Sequence, residues 1–157
     1  DGGQVVYGGG GITPDVSVKQ QRFTQVQARL QEPIFFFVRE LINGQVAGIT
    51  DYQIKEMKFN YQLKPNDFVI SDLVIESLKK FIDEKQKTFE LSSNNVTENL
   101  DVVKLILRRE LATASHGLDI GQEVLLYQDP QVLKGLEEMT NAKKLTPKSA
   151  DSSVANK

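Results

Sequence analysis

Residues 8–11 are four consecutive glycines, set in the phrase VVYGGGGITPDV. A glycine run before an apolar residue can cradle a phosphate, build an oxyanion hole, or simply turn the chain. A phosphate loop needs a lysine and a hydroxyl right after its glycines, to meet phosphate and magnesium. Here Ile12 follows Gly11, and the next lysine is Lys19. A dinucleotide site needs a helix opening at the glycines, so that its N-terminus faces the pyrophosphate. Pro14, and the alternation of Val16 and Val18 with polar residues, favour a strand there instead. An oxyanion hole needs a nucleophile, and no Gly-x-Ser-x-Gly elbow occurs. The glycines therefore read as a turn between two strands.

Other chemistry-bearing residues are sparse. The chain has no cysteine, which removes disulfides, thiolate catalysis and Cys-based zinc sites. His116 is the sole histidine and stands beside Gly117 at an expected helix C-terminus. A cation is favoured there by the helix dipole, and one histidine without co-ligands builds no metal cluster. Asp83-Glu84 and Glu137-Glu138 fall on the polar sides of expected helices, as do the pairs Lys79-Lys80 and Lys143-Lys144. No metal and no cofactor are expected. Asn95-Val96-Thr97 matches a glycosylation sequon.

The elements that would position these residues follow from periodicity. The 157 residues suggest one domain of ordinary globular composition, 39% hydrophobic and 25% charged. A net charge of -2 supplies no basic field for nucleic acid or anionic lipid. The longest apolar run, residues 34–38, is far too short to span a bilayer. Residues 1–20 read as strand, glycine turn and strand, lacking the sheet they need. Residues 21–145 read as a helical domain, so the fold class is mainly α with a short β segment in front.

Within the helical part, Phe23, Val26 and Leu30 lie on one stripe, and Pro33 is expected to open a second segment. Ile34, Phe37, Val38, Leu41 and Ile42 follow helical spacing, and Gly44 is a natural stop. Three adjacent phenylalanines, residues 35–37, put aromatics on several sides of this helix, so a partner or parent domain is expected on the second side. Residues 45–69 read as a connector. Ser71 is expected to cap a helix carrying Val74, Ile75, Leu78, Phe81 and Ile82. Residues 92–95, Ser-Ser-Asn-Asn, read as a break. Leu100, Val103, Ile106, Leu107 and Leu111 are expected inward on a long helix ending near Gly117, followed by a short helix over residues 118–127. Asp129-Pro130 opens the last helix, with Val132, Leu133, Leu136 and Met139 expected inward. Residues 146–157 read as a disordered tail.

From Gly3 through Val6, Tyr7, Gly8, Gly9, Gly10, Gly11 and Ile12 to Pro14, Asp15 and Val16, the sequence resembles the C-terminal processing peptidases, or tail-specific proteases. In that family a phrase of this form closes the peptidase core, with arginine where Gln4 stands. FVISDLVIESLKKFIDEK, LILRRELATASHG and QDPQVLKGLEEMTNAKKL are similar to the helical tail of one bacterial branch. The resemblance implies a parent endopeptidase with a serine nucleophile, a lysine general base and a PDZ-like domain that captures substrate C-termini. All of these lie upstream of the glycine phrase in the family. The chain is accordingly expected to be a segment of a longer protein, beginning on Asp1, and to be inactive alone. It would serve as a structural, oligomerisation or adaptor region in the bacterial periplasm. Its partners would be the upstream core and a second copy. Two rival expectations are a stand-alone helical interaction module and an anion-binding glycine loop.

Overall fold

The computed structural model describes residues 16–20 and 22–145. The glycine phrase at residues 8–12, with Pro14 and Asp15, lies outside the described residues, as do residues 146–157. Seven helices occur among the described residues: α1 (Gln25–Ile42), α2 (Asp72–Glu84), α3 (Gln86–Phe89), α4 (Ser93–Glu98), α5 (Leu100–His116), α6 (Leu118–Leu126) and α7 (Pro130–Leu145). No strand occurs among the described residues, and residues 16–20 are irregular. The mainly α class holds. Alternating valines make a strand only where a neighbouring strand accepts their backbone bonds.

α1 differs from the expectation of two segments. It runs unbroken through Pro33, which is buried inside the helix. The start lies eight residues earlier, where Thr24 and Gln27 form a reciprocal capping box. The Thr24 hydroxyl accepts from the Gln27 amide at 3.3 Å, and the Gln27 side chain accepts from the Thr24 amide at 3.0 Å. Proline's fixed φ suits a helix, and its cost is the lost bond to the Arg29 carbonyl. Leu30, Ile34, Phe37 and Leu41, all nearly solvent-free, flank Pro33 on the buried face and hold the helix together across it.

α1 ends as the glycine suggested. Gly44 takes φ +71°, its amide donates to the Leu41 carbonyl at 3.1 Å, and the Gln45 amide donates to the Glu40 carbonyl at 2.9 Å. This paired closure is the Schellman motif. Ser71 caps α2 through its hydroxyl, Gly117 at φ +101° separates α5 from α6, and Asp129 accepts from the Gln131 and Val132 amides to open α7. Residues 92–95 do not break the chain. They open α4, where the Asn95 amide oxygen accepts from both the Ser92 amide and hydroxyl, while Val96 is fully buried. Asp83 of α2 accepts from the Ser93 amide at 2.8 Å and supports the same end.

One core unites α1, α2, α4 and α5. Leu30, Ile34, Phe37 and Leu41 of α1 meet Val103, Ile106, Leu107 and Leu111 of α5, with Val74, Leu78, Phe81 and Ile82 of α2 and Val96 of α4 closing the remaining side. Phe37 and Phe81 pack edge to face, centroids 5.6 Å apart. A smaller cluster of Leu63, Ala112 and Val124 joins the connector to α5 and α6. α5 and α6 approach closely at Gly121, where an added Cβ would strike the Thr113 side chain.

Candidate interaction surfaces

The connector between α1 and α2 contains no regular element, yet it is fastened to α5 at several points. The Lys58 amide donates to the Ser115 carbonyl at 2.8 Å, and His116 Nδ1 lies 2.7 Å from the Lys58 carbonyl. A carbonyl only accepts, so Nδ1 carries the proton. The His116 ring stacks on Tyr61 at 3.8 Å between centroids and meets Phe68 edge-on. His116 is thus a helix-terminal fastener, the role its position suggested. The Arg108 guanidinium donates to the Lys64 and Pro65 carbonyls at 3.2 and 2.9 Å. Tyr52 ties the far end, donating to the Val69 carbonyl and accepting from the Ser71 amide. These contacts bridge residues far apart in sequence, and only His116 was singled out beforehand.

Among the described residues no group of three or more His, Asp or Glu side chains could hold a metal ion. Asp83, Glu84 and Glu137 are exposed, as expected of polar helix faces. Lys134 sits between Glu137 and Glu138, at 3.0 and 2.8 Å, and this acidic pair is half of a surface ion-pair cluster. Asn95 of the sequon has its side-chain oxygen engaged at the start of α4. Ser77 and Lys80 stand one turn apart on α2, so the Ser-x-x-Lys spacing used by serine–lysine pairs does occur in this chain, contrary to the expectation that no serine has a paired base nearby in sequence. No hydrogen bond joins them, and Lys80 is exposed, whereas a lysine base relies on burial to release its proton.

Uncovered apolar surface is the more distinctive feature. α7 is amphipathic as its sequence suggested, but its apolar side is not packed inward. Leu133, Leu136 and Met139 are 49%, 59% and 56% exposed, and Val132 is only partly buried. Leu126 and Tyr127, at the end of α6, are also exposed. Periodicity reports that a face is apolar, and the covering surface has to come from elsewhere. Leu100 and Phe23 likewise lie at the surface rather than inward. In the other direction, Gln131 on α7 donates to the Val18 carbonyl at 3.0 Å, which fixes the described start of the chain beside α7.

A second uncovered face lies on α1. Phe37 is buried, while Phe35 and Phe36 are nearly half exposed. A groove of about 580 Å³ runs between Phe36, Phe81 and Phe89, edged by Arg39, Glu40 and Lys85. Lys85 Nζ lies 3.8 Å over the Phe81 ring and 3.6 Å from the Glu40 carboxylate. Among the described residues no helix is long and apolar enough to cross a membrane. No family model, curated protein or solved structure matches this chain.

Proposed function

We propose that this chain is the helical C-terminal region of a bacterial carboxyl-terminal processing serine peptidase, with a structural, oligomerisation or adaptor role and no hydrolysis of its own. The glycine phrase spanning Gly3 to Val16 supports the family. The observation that carries the role is the uncovered stripe of Leu133, Leu136 and Met139 on α7. A helix face of this kind is a joining surface, for the upstream peptidase core or for a second copy. The serine nucleophile, its lysine base and the PDZ-like domain belong to the upstream part, and the setting is the periplasm. The glycines at residues 8–11 then serve as a conformational seam between the last core strands and the helices.

The test has two arms. Incubated with an unfolded protein bearing an apolar C-terminal tag, this chain alone yields no cleavage. The chain joined to the coding sequence upstream of it cleaves that substrate, and replacing the upstream serine abolishes the activity. Cleavage by the chain alone, or an upstream sequence without a serine–lysine peptidase core, overturns the reading.

A further inference from the structure

The groove of about 580 Å³ beside α1 has an aromatic floor, with the Phe89 ring centroid 6.3 Å from that of Phe36 and 6.2 Å from that of Phe81. Its rim carries two acids and two cations, Glu32, Glu40, Arg39 and Lys85. Lys85 pairs with Glu40 at 3.6 Å, which leaves Glu32 and Arg39 without an ion pair among the described residues. Glu32, Phe35, Phe36 and Arg39 follow i, i+3, i+4, i+7 spacing, so they share one exposed face of α1. A trough of rings with charged edges suits an amphipathic helix, gripped by apolar anchors about one turn apart.

α7 is such a helix. Leu133, Leu136 and Met139 follow one another at about 4.5 Å of rise, and about half of each is open to solvent. The adjoining Glu137 and Glu138 share a single cation, Lys134, so this flank keeps a surplus negative charge. In sequence the acidic pair is followed by Lys143-Lys144, about 9 Å further along the axis. On α1 the order is the same, Glu32 and then Arg39 about 10.5 Å further. Laid antiparallel, the two helices set the acidic pair of α7 against Arg39 and the basic pair against Glu32. Laid parallel, they set like charges together. Charge order of this kind fixes both the partner and its register.

We propose that α7 of one copy docks antiparallel to α1 in the groove of Phe36, Phe81 and Phe89 on a second copy. This rests on the joining role given to α7 above and names its partner, while the peptidase family and the cleavage test stand apart from it. The experiment is sedimentation of the intact chain and of two variants, Phe36→Glu and Leu133→Glu with Leu136→Glu, each checked for an unchanged fold by circular dichroism. The parent chain is expected to associate, and each variant to associate with itself at least about tenfold more weakly. An equimolar mixture of the two variants recovers a one-to-one complex, because one keeps α7 and the other keeps the groove. Arg39→Glu alters no apolar residue and weakens association about tenfold, and adding Glu137→Lys with Glu138→Lys to the same chain restores it. Variants that associate as the parent does, a mixture that stays monomeric, or indifference to Arg39→Glu overturns the proposal. A parent chain that stays monomeric also overturns it, because the stripe then belongs to the upstream core, and the cleavage test is unaffected.

Discussion

Asp67 gathers a turn around one carboxylate, accepting from the Tyr61 hydroxyl and the Lys64 amide. Desolvation pushes its pKa upward, but those two hydrogen bonds and the charges of Lys64 and Arg108 outweigh it and hold the group below its ordinary value of 3.8. The same bond raises the Tyr61 hydroxyl above its ordinary 10.0, since the donor's proton is worth keeping. A depressed carboxylate contributes stability that is complete above the ordinary value and is lost as pH falls through the folded-state value. Asp67→Asn should therefore lower the thermal midpoint near neutral pH, and the gap from the parent chain should shrink at a second pH well below 3.8, as pH falls through the folded-state value. The size is modest, because solvent screens this exposed turn. Paired melts at the two pH values check it, and an equal gap at both contradicts the account. Burial gives a larger contrast. Phe37→Ala should cost about 3–5 kcal/mol in denaturant unfolding, for lost packing and a cavity. Phe36→Ala, one residue along, removes a ring already nearly half exposed and should cost about 1 kcal/mol or less.

Helix ends were the most legible elements, because three or four consecutive residues decide them. Ser71, Gly44, Gly117 and Asp129-Pro130 each act where their types suggested, with the hydrogen bonds and positive φ values that such caps require. Pro33 was misleading because proline fits both the first turn and, at a cost, the interior. What settles its place is the buried run from Leu30 to Leu41 against α5, which is not local. Residues 92–95 look like a break by composition, yet Asn95 and Asp83 satisfy the start of α4 and Val96 anchors it. The fastening of the connector could not be read at all, since Lys58 to His116 and Lys64 to Arg108 have no short-range signature. The docking groove proposed above inherits that difficulty: Phe36 and Phe89 meet only after folding. Two glycines separate backbone from packing effects at this scale. Gly44→Ala and Gly48→Ala both force a side chain into the left-handed region, at about 1–2 kcal/mol. At Gly48 nothing lies near the new Cβ, and at Gly44 it meets only the flexible end of Gln53, so the two costs should be similar. Gly121→Val is different in kind, pressing on Thr113 and the Arg109 carbonyl between α5 and α6. It should cost about 1–3 kcal/mol by overpacking. Urea unfolding of the three variants ranks them.

For the molecule as a whole, the core and the uncovered surface make opposite demands on substitution. The packing of α1 against α5 and α2 carries the stability, and α7 shares no extensive packing with another helix among the described residues. An apolar face left in water is tolerated where it meets a partner, and it is a source of association where it does not. The chain's small net charge of -2 offers little repulsion against that association. The intact chain should therefore associate as its concentration rises, measured by light scattering or sedimentation. Placing charges on the stripe, Leu133→Glu with Leu136→Glu, should leave it monomeric at the same concentrations. Because these side chains are about half exposed and outside the core, the midpoint of thermal unfolding should move by only a few degrees. Leu107→Ala supplies the contrast, costing about 2–5 kcal/mol with no effect on association beyond that of unfolding. If the double glutamate variant instead unfolds as readily as Leu107→Ala, α7 is a member of the core. If it associates as the parent chain does, the joining surface lies elsewhere, and the groove of Phe36, Phe81 and Phe89 is the next face to charge.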